Sequence, residues 1–167
     1  VQENYTGRIM ALVPSSFQAG LAPLNAPQPS GAITAQTIMT AFNTYALAAQ
    51  NIMGLPTLVM PGFSGGMSSL QTAMSAPVPS GAIAATNIAT AINTAWMSLQ
   101  TQFQTGPLVA NMASLQQQLS ASMTAPVPSG QIFIMNLVTA VHTYCMTSTI
   151  TGVIPGAPPI PFTGPPL

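Results

Sequence analysis

Charge is what this chain lacks. Its 167 residues include one acidic side chain, Glu3, one basic side chain, Arg8, and one histidine, His142; lysine and aspartate do not occur. An ordinary soluble domain has about a quarter of its residues charged, and net charge resists self-association. A formal net charge of zero and a mean hydropathy of +0.47 predict a chain that associates, so its natural setting is an assembly or an apolar environment. The same scarcity excludes nucleic acid as a partner, because phosphate-backbone binding rests on Lys and Arg displacing counterions. It also argues against the common form of disorder, which pairs low hydrophobicity with high net charge. Here 48% of the residues are hydrophobic, with alanine and eleven methionines prominent among them.

Other absences narrow the chemistry. Cys145 is the only cysteine, so no intrachain disulfide forms, and its apolar neighbours predict a small buried hydrophobe. One histidine and one cysteine fall short of the three or four ligands of a zinc site. A Ser-His-Asp triad has no aspartate to draw on, and the single glutamate excludes a carboxylate pair. No catalytic, cofactor-binding or metal-binding residue is assigned, and the chain is not expected to be an enzyme. The first residues, Val1 to Tyr5, carry neither the basic nor the apolar region of a signal peptide.

What is present is a repeat. Ala26-Pro27-Gln28-Pro29-Ser30-Gly31-Ala32-Ile33 recurs as Ala76-Pro77-Val78-Pro79-Ser80-Gly81-Ala82-Ile83 and as Ala125-Pro126-Val127-Pro128-Ser129-Gly130-Gln131-Ile132. A period near fifty residues marks a tandemly built structural unit. Two prolines stop a helix and push their predecessors into extended conformations. The serine that follows precedes a run of helical periodicity, so Ser30, Ser80 and Ser129 are predicted N-caps. With no Lys or Arg nearby, a phosphate-cradling role for this segment is disfavoured.

Each unit divides into four parts. A short helical piece comes first, marked by Phe17 with Leu21, Leu70 with Met74, and Leu115 with Leu119, pairs that share a helix face. Serines just upstream are the expected caps. The Pro-x-Pro-Ser-Gly hinge is second and a longer helix is third. Ile38, Ala41, Phe42, Tyr45, Ala49 and Ile52 form the apolar face of the first long helix. Ile88, Ala91, Ile92, Ala95 and Leu99 form that of the second, and Leu137, Ala140, Val141, Tyr144 and Ser148 that of the third. The opposite faces, with Gln36, Thr40, Asn43 and their counterparts, are polar but uncharged. His142 stands where the other units have Asn43 and Asn93, which predicts a hydrogen-bonding group on a helix face. An irregular apolar tail rich in Pro and Gly ends each unit, read as an extended arm or short β-edge, with the last able to drape over a neighbour.

The predicted fold is all-α: three tandem helical-hairpin repeats with Pro/Gly-rich irregular connections, compatible with pseudo-threefold packing or a short solenoid. The boundaries are an N-terminal arm at 1–14, repeats at 15–66, 67–111 and 112–156, and a Pro-rich C-terminal arm at 157–167. The stretch from Ile132 to Ile150 approaches membrane-spanning length, but Asn136, His142 and several hydroxyls interrupt it and no flanking Lys or Arg sets a topology. Membrane contact is therefore not favoured. The methionines read as core filling rather than as an adaptable groove.

The order of these parts, with Thr139-Ala140-Val141-His142-Thr143-Tyr144, then Thr151-Gly152-Val153-Ile154-Pro155-Gly156 and a Pro-rich end, resembles a family of small, Ala-rich virion structural proteins of large contractile-tailed bacteriophages. Members are similar in their repeated helix units, each closing on an Ala-x-x-x-Tyr segment. Thr40-Ala41-Phe42-Asn43-Thr44-Tyr45 matches that pattern, whereas the second unit has Ala95-Trp96 in its place. The resemblance spans roughly residues 10–165 and implies a non-enzymatic particle component with no catalytic residues and no cofactor. The expectation is a virion subunit, in the tail or baseplate, present in multiple copies and packing on other virion structural proteins through uncharged interfaces. Tyr45, Trp96 and Tyr144 are its expected anchors, since large aromatics dominate interface energetics. The alternatives are a tip component that inserts into a host envelope, and a capsid-associated or decoration protein.

Overall fold

The protein is described from a computed structural model that covers residues 12–126 and 129–167. Most of the N-terminal arm assigned to residues 1–14, and Val127 and Pro128 of the third hinge, lie outside the described residues. Among the described residues six helices dominate: α1 (Pro14–Gly20), α2 (Gly31–Ala46), α3 (Phe63–Met74), α4 (Gly81–Met97), α5 (Met112–Met123) and α6 (Gly130–Met146). The fold is not purely helical, however. Strands β1 (Thr57–Val59) and β2 (Gln100–Thr101) form one small antiparallel sheet, and β3 (Ile150–Ile154) and β4 (Ile160–Gly164) form another.

The three hinge serines start α2, α4 and α6 as their sequence predicts. Each is extended, and each hydroxyl accepts from the backbone amide three residues on, Ile33, Ile83 and Ile132, at 3.3 Å. This satisfies one of the orphan donors of a helix N-terminus. The short helices begin differently from expectation. Ser68 and Ser69 lie inside α3, which starts at Phe63 and so crosses the boundary drawn at 66/67. The Gly65-Gly66 pair, weak in helix propensity, hides that first turn. For α5 the cap is Asn111, whose side chain accepts from Ser114, and α1 opens on Pro14 with no side-chain cap.

Helix directions follow from which ends meet. The C-terminal Met74 of α3 lies against Gly31 at the start of α2, and Gly62 before α3 lies against Thr94 and Ser98 at the end of α4. Thus α3 is antiparallel to both α2 and α4, which are parallel to each other. Residues Ser30, Gly31 and Thr34 share a surface depression with Ser129, Gly130 and Phe133, so the N-terminal ends of α2 and α6 are neighbours too. Their C-terminal ends meet where Tyr45 reaches His142. The helices neighbour one another in chain order, α1 to α6, and α6 returns to α1 and to the 3-10 turn Ala22–Asn25. Three long parallel helices therefore carry the core, with short helices in the grooves between them.

Three glycines set this spacing. A Cβ on Gly31 would strike the carbonyl of Met74, one on Gly81 the carbonyl of Met123, and one on Gly130 would lie 2.6 Å from the carbonyl oxygen of Leu24. Each long helix begins with its backbone pressed against the C-terminal end of a short segment. The interior holds Ile38, Phe42, Tyr45, Ile88, Ile92, Trp96, Leu137, Val141 and Tyr144, filled from outside by Phe17, Leu70 and Leu115. The apolar faces read from periodicity are buried, except that Ile52 is exposed because α2 ends at Ala46.

Gly65 and Gly81 give opposite expected outcomes. Gly65 is exposed within α3 with nothing near its missing Cβ, so Gly65→Ala should stabilise by about 1 kcal/mol through helix propensity. Gly81→Ala should destabilise by about 1–3 kcal/mol through overpacking against backbone. Chemical denaturation of the two variants checks both signs.

Candidate functional site

The sequence reading left each tail as an extended arm or a short β-edge, and the structure takes the second form. The tails do not hang free as arms; they pair with one another in a closed cycle. The first tail joins the second through Thr57 opposite Thr101 and the Gln102 amide donating to Pro56 at 3.1 Å. The second joins the third through paired bonds between Val109 and Thr149 (3.0 and 2.8 Å) and through Thr105 donating to Thr151 at 3.0 Å. The third returns to the first, where Gln50 and Leu167 exchange backbone bonds at 3.2 and 2.8 Å. The Pro-rich end is thus β4, laid antiparallel on β3, and it closes the ring. Extended segments with unpaired amides and carbonyls satisfy them most cheaply on each other, which is why they do not remain loose.

Neutral side chains lock this tail layer. Asn51 is fully buried; its amide donates to the Gln102 carbonyl at 3.0 Å, and its oxygen accepts from Met53 and Leu55 at 3.0 and 3.1 Å. Gln104 donates to the Leu99 and Gly106 carbonyls and accepts from the Thr101 amide. Phe103 holds a left-handed backbone with φ of 62°, unusual for a bulky residue. In that conformation its carbonyl accepts from Val153 at 3.0 Å, tying second tail to third. Sequence reading passed over Asn51 and Gln104. The available signal was an uncharged amide in an otherwise apolar tail, a residue type buried only when its bonds are met.

Tyr45, Trp96 and Tyr144, expected to anchor a partner, are 0, 0 and 1% exposed within this chain. That expectation is corrected: all three lie on the inward faces that helical periodicity defines, so they fill the core and present nothing to a neighbour. Their polar atoms instead stitch the long helices together. Tyr45 Oη lies 2.7 Å from His142 Nδ1, Tyr144 donates to Asn93 Oδ1 at 2.7 Å, and Trp96 donates to Ser148 Oγ at 2.9 Å. His142 and Asn93, equivalent in their units, both receive a tyrosine from an adjacent long helix. The second unit has Ala95 at the tyrosine position, and Trp96 takes over the bonding.

Burial governs the ionisation of this cluster. Burial pushes the Cys145 thiol well above its ordinary value, so it stays protonated and poorly nucleophilic. Burial, and then the adjoining thiol, raise the Tyr45 and Tyr144 hydroxyls. Burial lowers His142 below its ordinary 6.5. Among the described residues no group of three His, Cys, Asp or Glu side chains gathers, and no helix is long and apolar enough to cross a membrane. Comparison with protein-family models, with curated proteins and with solved structures gives no match.

The depressed His142 has a defined consequence. Between its folded value and 6.5 the unfolded chain binds more protons, so stability is complete above about 6.5 and falls as pH drops toward the folded value. Melting temperature should therefore fall between pH 7.5 and 5.5. His142→Asn, which places at this position the residue found at 43 and 93, should flatten that slope. An equal slope in both proteins would show that another group is responsible.

Proposed function

We propose that this chain is a non-enzymatic structural subunit of a bacteriophage virion, placed in the tail or baseplate, and that it works by packing uncharged surface on neighbouring subunits. The supporting observation is an exterior almost without charge that still displays fifteen large hydrophobic side chains among the described residues. Surface of this kind is costly for a free protein and useful in an assembly, where no ion has to be stripped of water when partners meet. Neutral amides and hydroxyls at such contacts are satisfied by hydrogen bonds.

We further propose that the fold is three tandem helical hairpins about a pseudo-threefold axis. Three equivalent serine caps, three equivalent glycine contacts, two tyrosine bonds to equivalent positions and a tail cycle linking all three units support it. A unit with its own approximate threefold axis suits the axial positions of a tail, where symmetric rings stack.

The test is peptide mass spectrometry on gradient-purified particles of the phage that encodes the chain. Its peptides should co-purify at several copies per particle and persist through a high-salt wash, since uncharged contacts are insensitive to screening. Absence from purified particles, or loss in high salt, contradicts the proposal.

A further inference from the structure

The exposed hydrophobic side chains are not spread evenly. Ten of the fifteen belong to the tails or to the last turns of the long helices, and so to one end of the molecule. Each tail contributes a prominent one: Leu58 at 59% exposure, Val109 at 65% and Ile160 at 54%. On the β3–β4 hairpin Ile150, Gly152 and Phe162 face inward, while Val153 stands outward opposite the exposed Pro161. Beside them Leu58, Phe103 and Pro107 line an open groove of about 590 Å³.

We propose that this tail layer is a self-association face, on which a second copy of the chain packs tail layer to tail layer. The inference rests on the reading above that the chain works by packing on neighbours, and it names the neighbour. Electrostatic matching selects a second copy. No Lys, Arg, Asp or Glu occurs between residues 9 and 167, so two copies meet without like-charge repulsion and without desolvating an ion. A partner with an ordinary charged surface would have to bury its charges against groups that cannot pair them. A lipid surface fits less well, because this end has no Lys or Arg for anionic headgroups. Among the described residues Trp96, Tyr45 and Tyr144 are buried and cannot seat at a membrane interface. Exposed Gln100 and Thr105 need hydrogen-bond partners that hydrocarbon lacks. The same groups on a second copy, donors and acceptors alike, supply them. Like face on like face is an isologous contact that closes as a dimer.

Sedimentation velocity on the full chain, over a hundredfold range of concentration, tests this. A concentration-dependent dimer is expected, insensitive to salt. Leu58→Lys and Val109→Lys should each weaken it by about a hundredfold or more, since each buries a charge against a surface with no ion to pair it. Ile83→Lys, at the opposite end of the molecule, should leave it unchanged. Both tail positions are exposed, so the helical circular dichroism should persist; if a lysine variant unfolds, the neutral Leu58→Gln and Val109→Gln probe the same face. A chain that stays monomeric at every concentration overturns the proposal, as does a dimer abolished by Ile83→Lys but not by the tail variants. Monomer that floats with neutral phosphatidylcholine vesicles while forming no dimer also overturns it. A monomeric chain still recovered from purified particles defeats this inference alone, whereas a dimer absent from particles defeats the virion reading alone.

Discussion

Contact between glycine and carbonyl at the start of each long helix is the constraint on which the rest depends. Gly31, Gly81 and Gly130 let three helix N-termini sit directly on the backbone of neighbouring segments. With that spacing, Phe42 and Trp96 meet edge to face at 6.2 Å between centroids, and Tyr45 stacks on Phe17 at 5.4 Å. It also brings the C-terminal halves of the long helices close enough for Tyr45 to reach His142 and Tyr144 to reach Asn93. A side chain at any of the three glycines would push a short helix outward and open the core beneath it.

The second organising fact is neutrality. In most folds some buried polar groups are met by ions and the exterior is kept soluble by charge. Here neutral amides, hydroxyls, two tyrosines, the Trp96 indole and the His142 ring carry the interior polar bonding, and among the described residues no buried side-chain nitrogen or oxygen lacks a partner. Such bonds contribute about 1 kcal/mol each and cost more than that when one partner is removed. The tail cycle extends the same logic to the backbone. Much of the tail backbone is paired within the chain, and the exposed side chains beside it are what the tails offer to neighbours.

Much of the helical framework was legible in the sequence because period, prolines and serine caps all point the same way. Ser30, Ser80 and Ser129 cap where they were expected to, and the buried faces of α2, α4 and α6 are those that a 3.6-residue period marks. The start of α3 was not legible, since Phe63-Ser64-Gly65-Gly66 reads locally as a turn; Gly66 is needed because a Cβ would lie 2.5 Å from the Ala91 carbonyl oxygen. The tails were read as extended arms or short β-edges, and which segments pair was not legible for a different reason. The cross-tail pairings join residues far apart in the chain, Val109 with Thr149 and Gln50 with Leu167, so no local signal names the partners, which are fixed only once the helices have brought the tails together. The aromatic residues show a third kind of gap. Periodicity placed Tyr45 and Tyr144 on the core faces but left Trp96 off the face read for the second long helix, and an interface preference for aromatics pointed all three outward; the packing of the three long helices decided for the core.

Closure of the tail cycle is the claim that most of this account needs, and native-state hydrogen exchange tests it at one place. The Leu167 and Gln50 amides should exchange as slowly as those of Val109 and Thr149, because all four close the same layer. Exchange of Leu167 and Gln50 at the rate of an unprotected chain end, with Val109 and Thr149 still protected, would mean that the third tail does not return to the first and that the ring is open.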